Sequence, residues 1–303
     1  MKINRQKFVS FLVLIFVTSF SLSTRAYSKL ETVSETEFIG GLVFKNECNK
    51  QNSCLIAWNE GENFLSLGIG HFIWYPADQR GPFNEIFPKL LLFLEARGVE
   101  FPVWFKSLPG GHAPWAKRDD FITTLRKGDL EFLRNFLIQT KKYQAEFIVD
   151  RFRQSIPIIL QATPKELRAE TSQKLSFMIH SVNGLYPLAD YVNFKGEGVF
   201  PSERYKGKGW GLLQVLHEMK MPQDKNRAVL EFVIAAEVVL KRRVDNSPPE
   251  RNEKRWLLGW QNRIRTYLTV QSYNEALSDR LPRETLLPAI AEDVPMTEGT
   301  DVP

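Results

Sequence analysis

Apolar residues recur at three- and four-residue intervals along most of the chain, and the places where that period fails carry the more informative chemistry. Over 36–45, Phe38, Ile39, Leu42 and Val43 form one stripe. This predicts a short helix that ends just before Asn46 and Glu47. The period then shortens. Segments 55–58 and 64–69 read as strands on either side of the turn-forming Asn59-Glu60-Gly61-Glu62-Asn63, and an aromatic stretch at 72–75 ends at Pro76. Helical periodicity returns at 87–94, 120–125, 130–137 and 143–152, and again at 167–181, 226–240 and 251–268. Segment 209–218 reads as a helix start. The glycine- and charge-rich 193–208 reads as a long loop, and 110–114 as a surface loop. With no internal repeat or linker, the pattern predicts a single helical α+β unit over 29–281. Residues 282–303 hold four prolines and several acids, and read as an extended tail.

The first 28 residues follow a different pattern. Lys2, Arg5 and Lys7 precede an apolar run over 8–20, and small or polar residues surround Ala26 and Ser28. This is the layout of a secretory signal peptide, because the run is too short for bilayer hydrocarbon and no second one follows. The expected location is periplasmic or secreted, with no stable transmembrane segment once the leader is removed.

The leader also changes the charge balance. Four of the 40 basic residues lie in it (Lys2, Arg5, Lys7, Arg25) and none of the 35 acidic ones, so the remainder carries 36 minus 35, or +1. The basic balance of the whole chain therefore gives no support for a nucleic-acid partner, and no zinc-finger cysteines or basic–aromatic repeat supply any. In an oxidising compartment Cys48 and Cys54, the two cysteines of the chain, are expected to close a small loop as a disulfide. Two sulfurs without a histidine pair make a poor tetrahedral site, so no metal is expected, and no organic cofactor is implied.

Candidate chemistry gathers at two places. Cleaving a glycosidic bond requires a proton donor at the leaving oxygen and a means of stabilising or capturing the sugar cation. Glu47, after an amphipathic helix and before a cysteine, suits the donor role, since packing there can partly desolvate it. His71 stands among aromatics. The glycines of Gly68-Ile69-Gly70 lack the remainder of a phosphate loop and read as a tight turn. Further on, Asn193 lies in one glycine-rich stretch, and Tyr205, Trp210 and Gln214 surround Gly207, Gly209 and Gly211. Aromatic faces there suit a pyranose ring, and the amides suit hydroxyl or N-acetyl groups.

Glu47 followed by Ser66-Leu67-Gly68-Ile69-Gly70-His71 resembles the core of phage-type lysozymes. In that family a glutamate ends the first helix, and a small sheet carries an acid, a Thr or Ser, and a Gly-Ile/Tyr-Gly-His segment. The resemblance covers about thirty-five residues. It implies that Glu47 is the general acid, Ser66 the hydroxyl position and His71 the cleft histidine. The auxiliary acid falls near Asn59 or Glu60; counting back from Ser66 favours Glu60, with Glu62 as the alternative. Gly209-Trp210-Gly211-Leu212-Leu213-Gln214 resembles the Gly-Leu-Met-Gln stretch of lytic transglycosylases, although Cys48 stands where those enzymes place a serine. Arg204-Tyr205-Lys206-Gly207-Lys208-Gly209 resembles a segment of plant-type chitinases.

These resemblances imply a mainly helical lysozyme-like fold, with a small β-hairpin or sheet beside an active-site cleft. They imply cleavage of the MurNAc–GlcNAc β-1,4 bond, with peptidoglycan strands as partner and Glu47 and Glu60 as catalytic residues. Ser66, His71, Asn193, Tyr205, Trp210 and Gln214 would bind substrate, and Glu197 and Glu203 are rival carboxylates. A non-catalytic glycan-binding or scaffold protein and a chitinase-like hydrolase are the alternatives.

Overall fold

The computed structural model describes residues 33–268, apart from 82, 107, 109–110 and 129. The leader at 1–28 and the tail at 282–303 lie outside the described residues. The fold is mainly helical, with two small antiparallel sheets. No helix among the described residues is long and apolar enough to cross a membrane.

Helix α1 (Val33–Cys48) is longer than its apolar stripe, so Glu47 lies in its last turn rather than after it. The chain then passes through one 3-10 turn into a sheet of three short strands, β1 (Ile56–Ala57), β2 (Leu65–Leu67) and β3 (Phe72–Trp74), in the order β1-β2-β3. Ser66 pairs with Ala57 on one side and Ile73 on the other, which places it at the centre of the sheet. The β2–β3 turn needs its glycines. Gly68 has φ +75, and a Cβ there would lie 2.4 Å from the side-chain oxygen of Gln144. That oxygen accepts the Ile69 N–H at 2.8 Å. His71 also has a positive φ, 46°, which lets the chain turn sharply into β3.

Helices α2 (Phe87–Glu95), α3 (Val103–Lys106), α4 (Arg118–Arg126) and α5 (Glu131–Gln139) lead to the long α6 (Lys141–Ala162). The periodic reading reaches only 152, and Pro157 beyond it lacks the N–H of a helix interior. The helix continues regardless, since Phe152, Ile156 and Ile159 all bury on one side. Helix α1 lies directly against α6 at Gly40, where a Cβ would come within 2.3 Å of the Ala145 Cβ. A side chain at Gly40 would push the two helices apart and move Glu47 with them.

In the second half α7 (Arg168–Ile179) and α8 (Leu185–Lys195) pack against α6, while α9 (Leu212–Glu218) packs on α7 and α8, α10 (Ala228–Asn246) on α7 and α9, and α11 (Leu257–Arg265) on α10. A hairpin, β4 (Arg204–Tyr205) with β5 (Lys208–Gly209), interrupts the segment expected to be loop. Helix α8 has no counterpart in the periodic reading. Ten of its eleven residues are buried, leaving no polar face to produce an amphipathic stripe.

Candidate functional site

A cleft opens between the end of α1, the small sheet and the α8–β5 region. Glu47, Ser66, Gly70, His71, Asn193, Lys195, Glu203, Trp210, Arg151 and Arg243 are among its lining residues. Four of the expected substrate-binding residues, Ser66, His71, Asn193 and Trp210, thus share one space with Glu47. Asn193 also ties the two sides together, because its amide donates to the Gly70 carbonyl at 3.0 Å. Gly70 has no room for a side chain there, with the Phe72 ring at 2.7 Å and the Asn193 Oδ1 at 3.1 Å from a Cβ position.

Three expected residues are placed elsewhere. Glu60 is exposed on the turn after β1 and does not line the cleft. The Gln214 amide is engaged with backbone at both ends: its Oε1 accepts the Gly211 N–H at 2.9 Å, and its Nε2 donates to the Gly198 carbonyl at 2.9 Å. It caps α9 and fastens the glycine-rich loop to that helix. Tyr205 is half-buried beneath Trp210, with ring centroids 4.5 Å apart, and its hydroxyl donates to Glu253 at 2.7 Å. Glu62, the alternative to Glu60, does not line the cleft either.

Glu47 is held in a buried charge network. Arg263 Nη1 lies 2.6 Å from one carboxylate oxygen, and His71 Nδ1 lies 3.8 Å from the other. The rest of the Arg263 fork is taken by Asp190, with Nε to Oδ2 at 3.0 Å and Nη2 to Oδ1 at 2.8 Å. Tyr267 donates its hydroxyl to Asp190 Oδ2 at 2.6 Å. Asp190, Arg263 and Tyr267 were not singled out as site residues by sequence. Arg263 is one of several basic residues near the end of the described chain, and its partner lies 73 positions away, so only its burial marks it.

The expected disulfide is present. Cys48 and Cys54 are joined, and both sulfurs face the Nε2 of His71, at 3.2 and 3.1 Å. Burial holds the imidazole pKa below its ordinary value, against the opposing pull of Glu47 and the Cys54 carbonyl. Cys48, Cys54 and His71 form a group with metal-ligand atoms within 4.8 Å of one another. With the sulfurs bonded to each other, neither is a thiolate, and the donor set does not suit a metal ion.

The remaining wall is cationic and aromatic. Arg243 chelates Glu253 through two contacts of 2.9 Å and lies over the Trp210 ring at 4.2 Å. Lys195, at the end of α8, points its Nζ at the Trp260 ring at 3.5 Å and the Phe194 ring at 4.0 Å. Burial, and then the Arg243 guanidinium, hold its pKa well below the usual ammonium range. Arg151 of α6 pairs with Glu197 at 3.4 Å. Glu203 is buried in the 3-10 turn before β4, where its Oε2 accepts the Phe200 N–H at 3.0 Å. Burial, aided by the neighbouring Glu197 charge, pushes Glu203 up to about 7.

The cleft therefore offers two carboxyl groups in contrasting surroundings, a hydroxyl, an amide and a buried aromatic wall. No protein-family model matches this chain, and no curated protein or solved structure matches it either.

Proposed function

We propose that the protein is a lysozyme-like glycosidase or lytic transglycosylase that cleaves the MurNAc–GlcNAc β-1,4 bond of peptidoglycan in a periplasmic or secreted setting. The observation that carries this reading is the convergence of Glu47, Ser66 and His71 in one cleft, at the junction of a helix end and a three-stranded sheet. Asn193 and Trp210 complete the cleft from the other half of the chain. The Asn193 amide suits an N-acetyl or hydroxyl group, and the buried Trp210 indole adds apolar area to the cleft wall.

Glu47 stands at the reacting centre of this reading. Arg263 and Asp190 fix its orientation, and such preorganisation suits a carboxylate that must meet charge developing on a sugar ring. A second reading, a glycan-binding or scaffold protein without turnover, is favoured by the same ion pair, which already compensates the Glu47 charge inside the protein. A chitinase-like hydrolase would use the same groove on a polymer of GlcNAc alone.

Incubation of the purified protein with sacculi and, separately, with chitin oligomers tests these readings. The proposed activity releases soluble muropeptides from sacculi. Products lighter by one water identify the transglycosylase course, and cleavage confined to chitin oligomers identifies the chitinase. Binding to sacculi without any released fragment sinks the catalytic reading in favour of the scaffold.

A further inference from the structure

Among the described residues, the acidic side chains lining the cleft are Glu47 and Glu203, and Glu60 is not one of them. We infer that Glu203 is the catalytic carboxyl that carries the proton, acting together with the Glu47 carboxylate that Arg263 holds. This inference rests on the glycan-cleaving reading above, and it moves the proton-donor role expected of Glu47 to Glu203.

The two environments divide the work. Glu47 faces a guanidinium at 2.6 Å. Glu203 is held by the backbone N–H of Phe200, and the charged groups that face it are Glu197 and Arg151, which are engaged with each other at 3.4 Å. Its position is built into the loop. Gly196 has φ +83, and a Cβ there would fall 1.9 Å from Glu203 Oε1, so the carboxyl occupies space that only a glycine leaves open. Its raised pKa, about 7, leaves a substantial protonated fraction at neutral pH. Two carboxyl groups in one cleft, one facing a guanidinium and the other buried beside a backbone N–H, are the arrangement that glycoside cleavage uses for its opposing carboxylate and its acid.

In the step assigned here, the Glu203 carboxyl proton passes to the glycosidic oxygen as the bond from that oxygen to C1 breaks. The leaving sugar departs with a free hydroxyl. The Glu47 carboxylate balances the positive charge that grows at C1. A water adds at C1 and returns its proton to the Glu203 carboxylate, so one water is consumed for each bond cut. When the sugar's own 6-hydroxyl adds in place of water, it returns its proton to the same carboxylate, and the product is an anhydro sugar.

The test is the pH profile of kcat/KM on sacculi for the wild-type chain, Glu203→Gln and Glu203→Asp. Wild-type activity should fall about tenfold per pH unit above about 7. Glu203→Gln keeps an acceptor for the Phe200 N–H but should lose about 10²–10⁴-fold in rate at pH 6. Its residual activity should lack the alkaline limb, and Glu203→Asp, which retains a carboxyl, should recover part of the rate with the limb restored. Wild-type rate in Glu203→Gln, or persistence of the limb in that variant, overturns the assignment. An infrared difference titration, wild type minus Glu203→Gln, reads the proton directly. A midpoint near the ordinary 4.5 overturns the inference whatever the rates. A midpoint near 7 in a protein that cleaves neither polymer upholds the proton-holding site and locates the failure in the proposed reaction.

Discussion

Replacing Arg263 with Met should destabilise the protein by breaking the buried charge network that holds Glu47. The guanidinium bridges the Glu47 and Asp190 carboxylates, and all three side chains are buried. Met fills comparable volume, so the loss is electrostatic rather than a cavity. Removing one partner of a buried ion pair costs about 3–5 kcal/mol, because the charge left behind has neither water nor a counter-ion. At about 2–4 °C per kcal/mol for a chain of this size, the melting temperature should fall by roughly 6–20 °C. Asp190→Asn isolates one arm, since Arg263 then keeps Glu47 but loses its two contacts to a carboxylate. The double variant should be less damaged than the sum of the single ones by more than about 0.5 kcal/mol, the margin within which unconnected sites add. Thermal melts of the four proteins, followed by circular dichroism with a second probe to check that unfolding is a single transition, provide the measurement. A shift below about 2 °C for Arg263→Met, or strict additivity of the pair, would refute the claim that this network holds Glu47 in place.

The other expectations are more local. Gln214→Ala should lower stability by about 1–3 kcal/mol, the worth of two hydrogen bonds, while leaving glycan affinity unchanged, because neither end of the amide reaches the cleft; a fall in affinity without a fall in stability would contradict this. Trp210→Ala should destabilise by about 3–5 kcal/mol as well as weaken glycan binding, since the indole is buried in the cleft wall and packs against Tyr205 and Arg243; Trp210→Phe should retain most of the stability, and calorimetry of both variants checks it. Reducing the Cys48–Cys54 bond, whose cysteines are six positions apart, should cost about 2 kcal/mol of unfolding free energy, read from urea melts with and without reductant. Glu203 has a folded pKa raised from 4.5 to about 7, so the stability tied to its protonated form is complete below the unfolded value and is lost as the pH rises through about 7. The loss is on the order of 3 kcal/mol, and Glu203→Gln should flatten the melting temperature between pH 5 and 8 relative to wild type.

What the sequence revealed and what it hid follow from the range of the interactions. The end of α1 and the small sheet were legible because a three-to-four-residue stripe and a five-residue polar turn are local signals. Their geometry puts Glu47, Ser66 and His71 within one cleft. The disulfide was legible from two cysteines six positions apart. Helix α8 was not, because burial on every side erases the periodicity by which helices are read, and Asp190, Asn193 and Lys195 all sit on it. Arg263 was not, because its value arises only when α11 meets α8. Gln214 was read as a sugar ligand on its motif. Its amide is instead spent on a glycine loop whose close approach no local pattern announces. Glu60 lay at the right count from Ser66, but the turn holds it in solvent; the carboxyl that reaches the cleft in its stead comes from a segment about 140 residues later.

The central claim is that Glu47 stands at the reacting centre of a peptidoglycan-cleaving cleft, and Glu47→Gln tests it most directly. Glutamine preserves the shape and can still accept from Arg263, but it carries neither the negative charge nor an acidic proton. With melting curves confirming that the variant is folded, wild type and variant are incubated with purified sacculi, and soluble fragments are quantified by mass spectrometry over time. The account predicts muropeptide release by the wild type and at least about a 100-fold lower rate for the variant, the scale seen when a preorganised electrostatic group is removed from a transition state. Equal rates for the two proteins would contradict it.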